Sequence, residues 1–209
     1  VVPGAGQSAR ASDSGREWYN CQLEENDSND GDSIHAKVGG RQYILRLYFV
    51  DAPETDNGFP ERVAEQGKYF GITPALALQL GELAKRFTDE KLSHPFTVHT
   101  REQNAMGRSK KPRYYAMVET SDGDLGELLV ANGLARVHGV GATPPDLSYS
   151  VDETARLSRL EPTARLRHVG GWGTATVGLG LRLVTPCAKT SPASVHAYYY
   201  PERRASHAL

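Results

Sequence analysis

The chain has 209 residues, carries 24 Lys and Arg against 25 Asp and Glu, and has a formal net charge of −1. That length can bury one core of good size, and the balanced charge excludes a polycation that coats nucleic acid indiscriminately, so any recognition of phosphate must be local. No apolar run approaches the roughly 18 residues of a membrane span, and Val1 opens neither on an initiator Met nor on a secretion signal, so the chain reads as a processed form or a fragment. Cys21 and Cys187 are the two cysteines. They fall outside any metal-ligand spacing, which excludes zinc-site and thioredoxin-like chemistry. A disulfide between them and two separate thiols both remain open.

Residues 1–16 are rich in Gly, Ser, Ala and Arg and read as a leader or linker with nothing to pack. A first strand is expected over Glu17–Leu23, followed by a polar turn from Glu24 to Gly31. Ser33–Val38 alternates, with Ile34, Ala36 and Val38 on one face, and Gly39-Gly40 turns it as a hairpin into a long strand, Arg41–Val50. In that strand Tyr43, Leu45, Leu47 and Phe49 share one face while Ile44, Arg46, Tyr48 and Val50 share the other. Both faces are largely apolar, which predicts a central strand. Residues 57–73 hold a short helix around Pro60–Tyr69.

Thr73-Pro74 is a cap followed by proline at the first helical position, and Leu76, Leu80, Leu83 and Phe87 repeat at helical spacing, predicting a helix over Pro74–Leu92. Phe96–Arg101 alternates as a strand, residues 102–112 form a polar loop with Arg108, Lys110 and Lys111, and Arg113–Thr120 is a further strand. Asp124-x-x-Glu127 is a capping box opening a short helix that Gly133 closes. Ser150-x-x-Glu153 opens another helix, which Pro162 is expected to kink or divide. Residues 174–209 form a C-terminal extension without a structural assignment. Strands, one helix, more strands and then helices make an α+β chain, and the pattern fits a five-stranded OB-type barrel with about three packed helices.

The chemistry centres on YILRLYFVDAPETD at 43–56. Arg46 within an apolar strand, followed by Asp51 and Glu54, is costly unless the charges meet partners. Asp32, in Asp30-Gly31-Asp32-Ser33, can join Asp51 across the hairpin. Clustered carboxylates repel, and a hard, oxygen-preferring cation such as Ca²⁺ relieves them; solvated carboxylates at a turn and a strand end are the other reading. Alternation puts Arg46 and Asp51 on opposite faces, so their meeting requires a bend near Ala52-Pro53. Arg46 either satisfies a buried carboxylate or grips phosphate through paired donors. Arg113 follows the basic loop, where plain solvation is the alternative.

DGDS at 30–33, LRLYFVDAPET at 45–55, PRYYAMV at 112–118 and LGELLVANGLARV at 125–137 resemble, in order, the motifs of the thermonuclease family, the staphylococcal nuclease-like domains. The resemblance implies an OB-type barrel with packed helices, placed here at residues 17–173. It also implies Asp32 and Asp51 as calcium ligands with the Ala52 carbonyl, Glu54 as general base on water, and Arg46 and Arg113 on the scissile phosphate. The implied activity is hydrolysis of DNA, with RNA as a second substrate, leaving 3′-phosphate ends. Arg101, Arg108, Lys110 and Lys111 would steer the substrate strand. Two departures stand out: Lys111-Pro112 occupies the place of the family's Tyr-Gly, and the base-stacking tyrosines after LARV give way to His138, Gly139 and Gly141. An extracellular or periplasmic monomer without membrane attachment is expected. The rival reading is a non-catalytic OB-type module for nucleic acid or protein, which the chemically competent side chains at Asp32, Arg46, Asp51, Glu54 and Arg113 disfavour.

Overall fold

The computed structural model describes residues 15–105, 112–138 and 147–173, with side chains from 153 onward in the last segment. The leader up to residue 14, the extension 174–209, and Arg108, Lys110, Lys111, Gly139, Gly141 and Cys187 lie outside the described residues. Alternation builds the sheet: Ile34 and Ala36 on β2 (Ser33–Val38), Leu45 and Leu47 on β3 (Arg41–Leu47), and Phe96 and Val98 on β5 (Phe96–Asn104) all point into one core. Ala116 and Val118 on β6 (Arg113–Thr120) do the same. With β1 (Arg16–Leu23) the order is β3-β2-β1-β5-β6, and β6 returns parallel to β3, pairing Ile44 with Arg113 and Leu47 with Ala116. Those five strands close a mixed barrel of the OB type in an α+β fold. Each fully buried Leu, Ile or Val contributes about 2 kcal/mol, which offsets the cost of the charges the barrel rim encloses.

The long strand is shorter than expected. It stops at Leu47, and Phe49 takes a φ of 61°. The next two residues leave the barrel as β4 (Val50–Asp51), which pairs antiparallel with β8 (Arg136–Val137). The bend therefore sits at Tyr48-Phe49, before the expected Ala52-Pro53, because the Tyr48 N–H takes the Ala116 carbonyl at 3.0 Å and anchors the chain just ahead of the turn.

Among the described residues four α-helices pack on the barrel. α1 (Pro60–Phe70) starts on its proline and ends at Gly71 in the left-handed region. α2 (Pro74–Lys91) is capped by Thr73 Oγ1, which accepts from the Leu76 N–H at 3.3 Å. β7 (Gly123–Asp124) leads into α3 (Leu125–Ala131), whose cap is Asp124 Oδ1 accepting from the Glu127 N–H at 2.9 Å. α4 (Leu147–Leu166) runs through Pro162 undivided. Proline removes one backbone donor, yet the turns on both sides are fixed by buried Leu157 and Ala164 and by Glu161, which accepts from Tyr69 Oη at 2.7 Å and the Val137 N–H at 3.2 Å. Among the described residues no helix is long and apolar enough to cross a membrane.

Candidate active site

The bend at Phe49 turns Asp51 back under the strand it has left. Arg46 then reaches both carboxylates: Nη1 lies 2.6 Å from Asp32 Oδ1 and Nη2 donates to Asp51 Oδ1 at 2.8 Å. Asp32 Oδ2 accepts from the Ala52 N–H at 2.7 Å, which ties the DGDS turn to the DAPE segment. Arg113, opposite Ile44 on the neighbouring strand, donates to Ser33 Oγ at 3.3 Å, and Arg46 Nη1 meets the same oxygen at 3.4 Å. Asp32, Arg46, Asp51 and Arg113 thus share one corner of the barrel rim. Glu54 joins them through Arg62, whose Nε donates to Glu54 Oε1 and whose Nη2 donates to Asp51 Oδ1.

Arg62 belongs to α1, the short helix expected around Pro60–Tyr69. Arg62, Glu65, Gln66 and Tyr69 recur at i, i+3, i+4 and i+7, a polar stripe that borders the Asp51 corner with Gln66 buried and Glu65 exposed. Gln66, 1% exposed, donates from Nε2 to the Ala52 carbonyl at 3.1 Å and to Asp51 Oδ2 at 3.2 Å, while its Oε1 accepts from the Glu54 N–H at 3.0 Å. Glu65 takes Arg136 with both oxygens, at 2.5 and 2.7 Å. Arg136 in turn donates from Nε to Asp51 Oδ2 at 2.9 Å and lies 5.1 Å from the Tyr69 ring centroid.

From the other side α2 presses directly on the same backbone. A Cβ at Gly81 would fall 2.2 Å from the Glu54 carbonyl oxygen and 2.6 Å from that of Pro53. At Gly31 it would fall 2.7 Å from Ala52 Cβ and 2.8 Å from Ala84 Cβ. Thr88 Oγ1 donates to the Gly31 carbonyl at 2.8 Å. Helix, turn and DAPE segment are in van der Waals contact, so the carboxylates rest on rigid elements.

The two aspartates differ electrostatically. Burial is the main influence on Asp32 and pushes its carboxyl well up, against the opposing pull of Arg46. Burial also works against ionised Asp51, but Arg46, Arg62 and Arg136 together outweigh it and hold the carboxyl below its ordinary value. Burial lowers Arg113, and the neighbouring Arg46 charge adds to that. Four guanidiniums, Arg46, Arg62, Arg113 and Arg136, and four acids, Asp32, Asp51, Glu54 and Glu65, gather at this corner.

Asp32, Asp51 and the Ala52 carbonyl are the oxygen donors a hard divalent cation takes, and convergence of both Oδ1 atoms on one guanidinium shows that the pair can share a single positive charge. The residues therefore fit such a cation, at a place where Arg46 and Arg62 now stand. Among the described residues no group of three or more His, Cys, Asp or Glu gathers, so the rest of a cation's shell would come from water or substrate.

Of the expected strand-steering residues, Arg101 is described. It lies on β5, and its charge acts on the Tyr48 hydroxyl, which burial pushes up to about 12. Tyr48 stacks on Tyr115 with centroids 5.1 Å apart. Sequence reading missed Arg62, Gln66 and Arg136. The stripe spacing in α1 would have revealed the first two; Arg136, in the midst of an apolar run, repeats the signal that singled out Arg46. No curated protein matches the chain. The family model of the staphylococcal nuclease homologues matches residues 44–174, more than half of the sequence, and the chain belongs to that family.

Proposed function

We propose that the chain is a calcium-dependent nuclease that hydrolyses phosphodiester bonds of DNA, with RNA as a second substrate, and leaves 3′-phosphate ends. One observation carries this reading: two guanidiniums, Arg46 and Arg113, meet at Ser33 Oγ beside Asp32, Asp51 and Glu54. A phosphodiester is an anion, and attack by water adds negative charge to its oxygens. Arg46 and Arg113 bind the ground-state phosphate through paired donors and answer the charge that develops. Glu54, whose side chain is 25% exposed, takes a proton from the attacking water. Asp32, Asp51 and the Ala52 carbonyl would hold calcium, which when bound supplies Lewis-acid stabilisation of the phosphoryl oxygens. Arg101 and the basic residues Arg108, Lys110 and Lys111 steer the backbone without reading bases. Dependence on calcium fits work outside the cell or in the periplasm, and the chain is taken to act as a monomer.

The test is cleavage of plasmid and single-stranded DNA with calcium and then with chelator, by the wild type and by Glu54→Gln. Chelation should abolish cleavage, and the folded variant should lose on the order of 100-fold in turnover. Cleavage that survives chelation, or a Glu54→Gln variant at full rate, overturns the mechanism.

A further inference from the structure

Three guanidiniums stand in a row on two oxygens: Arg113 and Arg46 on Ser33 Oγ, and Arg46 and Arg62 on Asp51 Oδ1. Like charges gathered in this way require anions between them, and here Asp51, Asp32 and Glu54 serve. A cation on Asp32 and Asp51 needs oxygens that now accept hydrogen bonds, so a donor must yield. Arg136 cannot move readily: its side chain is 4% exposed and is held by Glu65 with both oxygens and by the Tyr69 ring. Gln66 is 1% exposed and bound to backbone on both sides. The Arg46 side chain is 15% exposed and rises from a central strand. The Arg62 side chain, 37% exposed on the first turn of α1, has solvent to move into.

We propose that Arg62 is a third phosphate-binding arginine, whose guanidinium passes from Asp51 and Glu54 to the substrate phosphodiester when a hard divalent cation occupies the carboxylates. The inference rests on the nuclease reading above. Its logic is exchange of partners. The cation replaces Arg62 as the neutralising charge on Asp51, Glu54 is released toward water, and the displaced guanidinium finds an anion in the phosphate that arrives beside Arg46. Arg62 therefore opposes the cation in the empty site and favours the substrate in the loaded one.

Two binding titrations on the full chain test this, calcium alone and a short phosphorothioate single strand in saturating calcium. Arg62→Gln should bind calcium about fivefold more tightly and the oligonucleotide about fivefold more weakly, the ratio that corresponds to a partly exposed ion pair gained or lost. Arg62→Lys, which keeps the charge but not the forked donors, should fall between wild type and Arg62→Gln in both. Calcium affinity that is unchanged or weaker in Arg62→Gln, or oligonucleotide affinity that is unchanged, overturns the proposal. A wild type that binds no calcium overturns the nuclease reading with it, whereas wild-type binding left unaltered by Arg62→Gln overturns this proposal alone. Should Arg62→Gln fail to fold, the Arg62 Nε–H resonance of the wild type decides: it should shift on adding calcium and again on adding oligonucleotide, and a resonance that stays in place overturns the proposal.

Discussion

Two acids of this molecule, the buried Asp51 and the partly buried Asp124, have been given opposite treatments. Asp51 accepts hydrogen bonds from Arg46, Arg62, Arg136 and Gln66, and its carboxyl sits below the ordinary range. Asp124 caps α3 opposite Glu153, and burial, then the Glu153 charge, pushes it up to about 8. Glu153 is raised as well, chiefly by burial. Its cationic neighbour Arg156 is shared with Glu127, at 2.9 Å. Burial is common to both places; the number of guanidiniums decides whether the carboxyl keeps a charge or a proton. At Asp51 three guanidiniums favour the ionised form, whereas at Asp124 the near neighbour is another acid and the protonated form is favoured.

The contrast can be broken from its charged side first. Arg136→Met keeps most of the volume but leaves the inner oxygen of Asp51 without its cation, and urea unfolding should show a loss of about 3–5 kcal/mol. The matched change on the other side, Arg156→Met, should cost about 1–2 kcal/mol at pH 8 and less at pH 5, because a proton can replace the missing cation there. Equal losses for the two variants at both pH values would sink the comparison.

A further test concerns Asp124 itself. Its folded value, about 8, lies above its ordinary 3.8, so the folded protein holds a proton that the unfolded chain releases. Stability from this group is complete below about pH 4 and is lost as pH rises through about 8. Asp124→Asn can still accept from the Glu127 N–H and cannot lose a proton, so its stability should vary less across that window than the wild type's. Chemical denaturation at a series of pH values measures it, and an unchanged slope would show that Asp124 is ionised in the folded state.

Much of the architecture was legible because burial follows simple periods. Ser33–Val38 alternates over its whole length, and the Thr73-Pro74 cap fixes where α2 begins. The charged residues of the DAPE segment were equally visible, since an arginine in an apolar strand has few bland explanations. Their convergence was not visible in the right place: a φ of 61° at Phe49 is adopted by a residue with no intrinsic preference for it, and tertiary anchoring imposes it. Arg62 and Gln66 were obscured for a different reason. Both reach Asp51 across the edge of their helix, a contact that the usual association of polar with exposed hides. The close approach at Gly81 has no local signature at all, because what it meets is backbone from 27 residues earlier.

The two-residue ladder between β4 and β8 joins Asp51 to Arg136 across 85 residues of chain. Closing so long a span is entropically costly and belongs to the later steps of folding. During synthesis from the N-terminus, the barrel strands through β6 and the helices α1 and α2 all precede Arg136. A growing chain that has not yet delivered that residue carries Asp51 without its innermost counter-charge, so the corner that gathers Arg46, Asp51 and Glu54 reaches its final form only when the last piece of the barrel rim has been made.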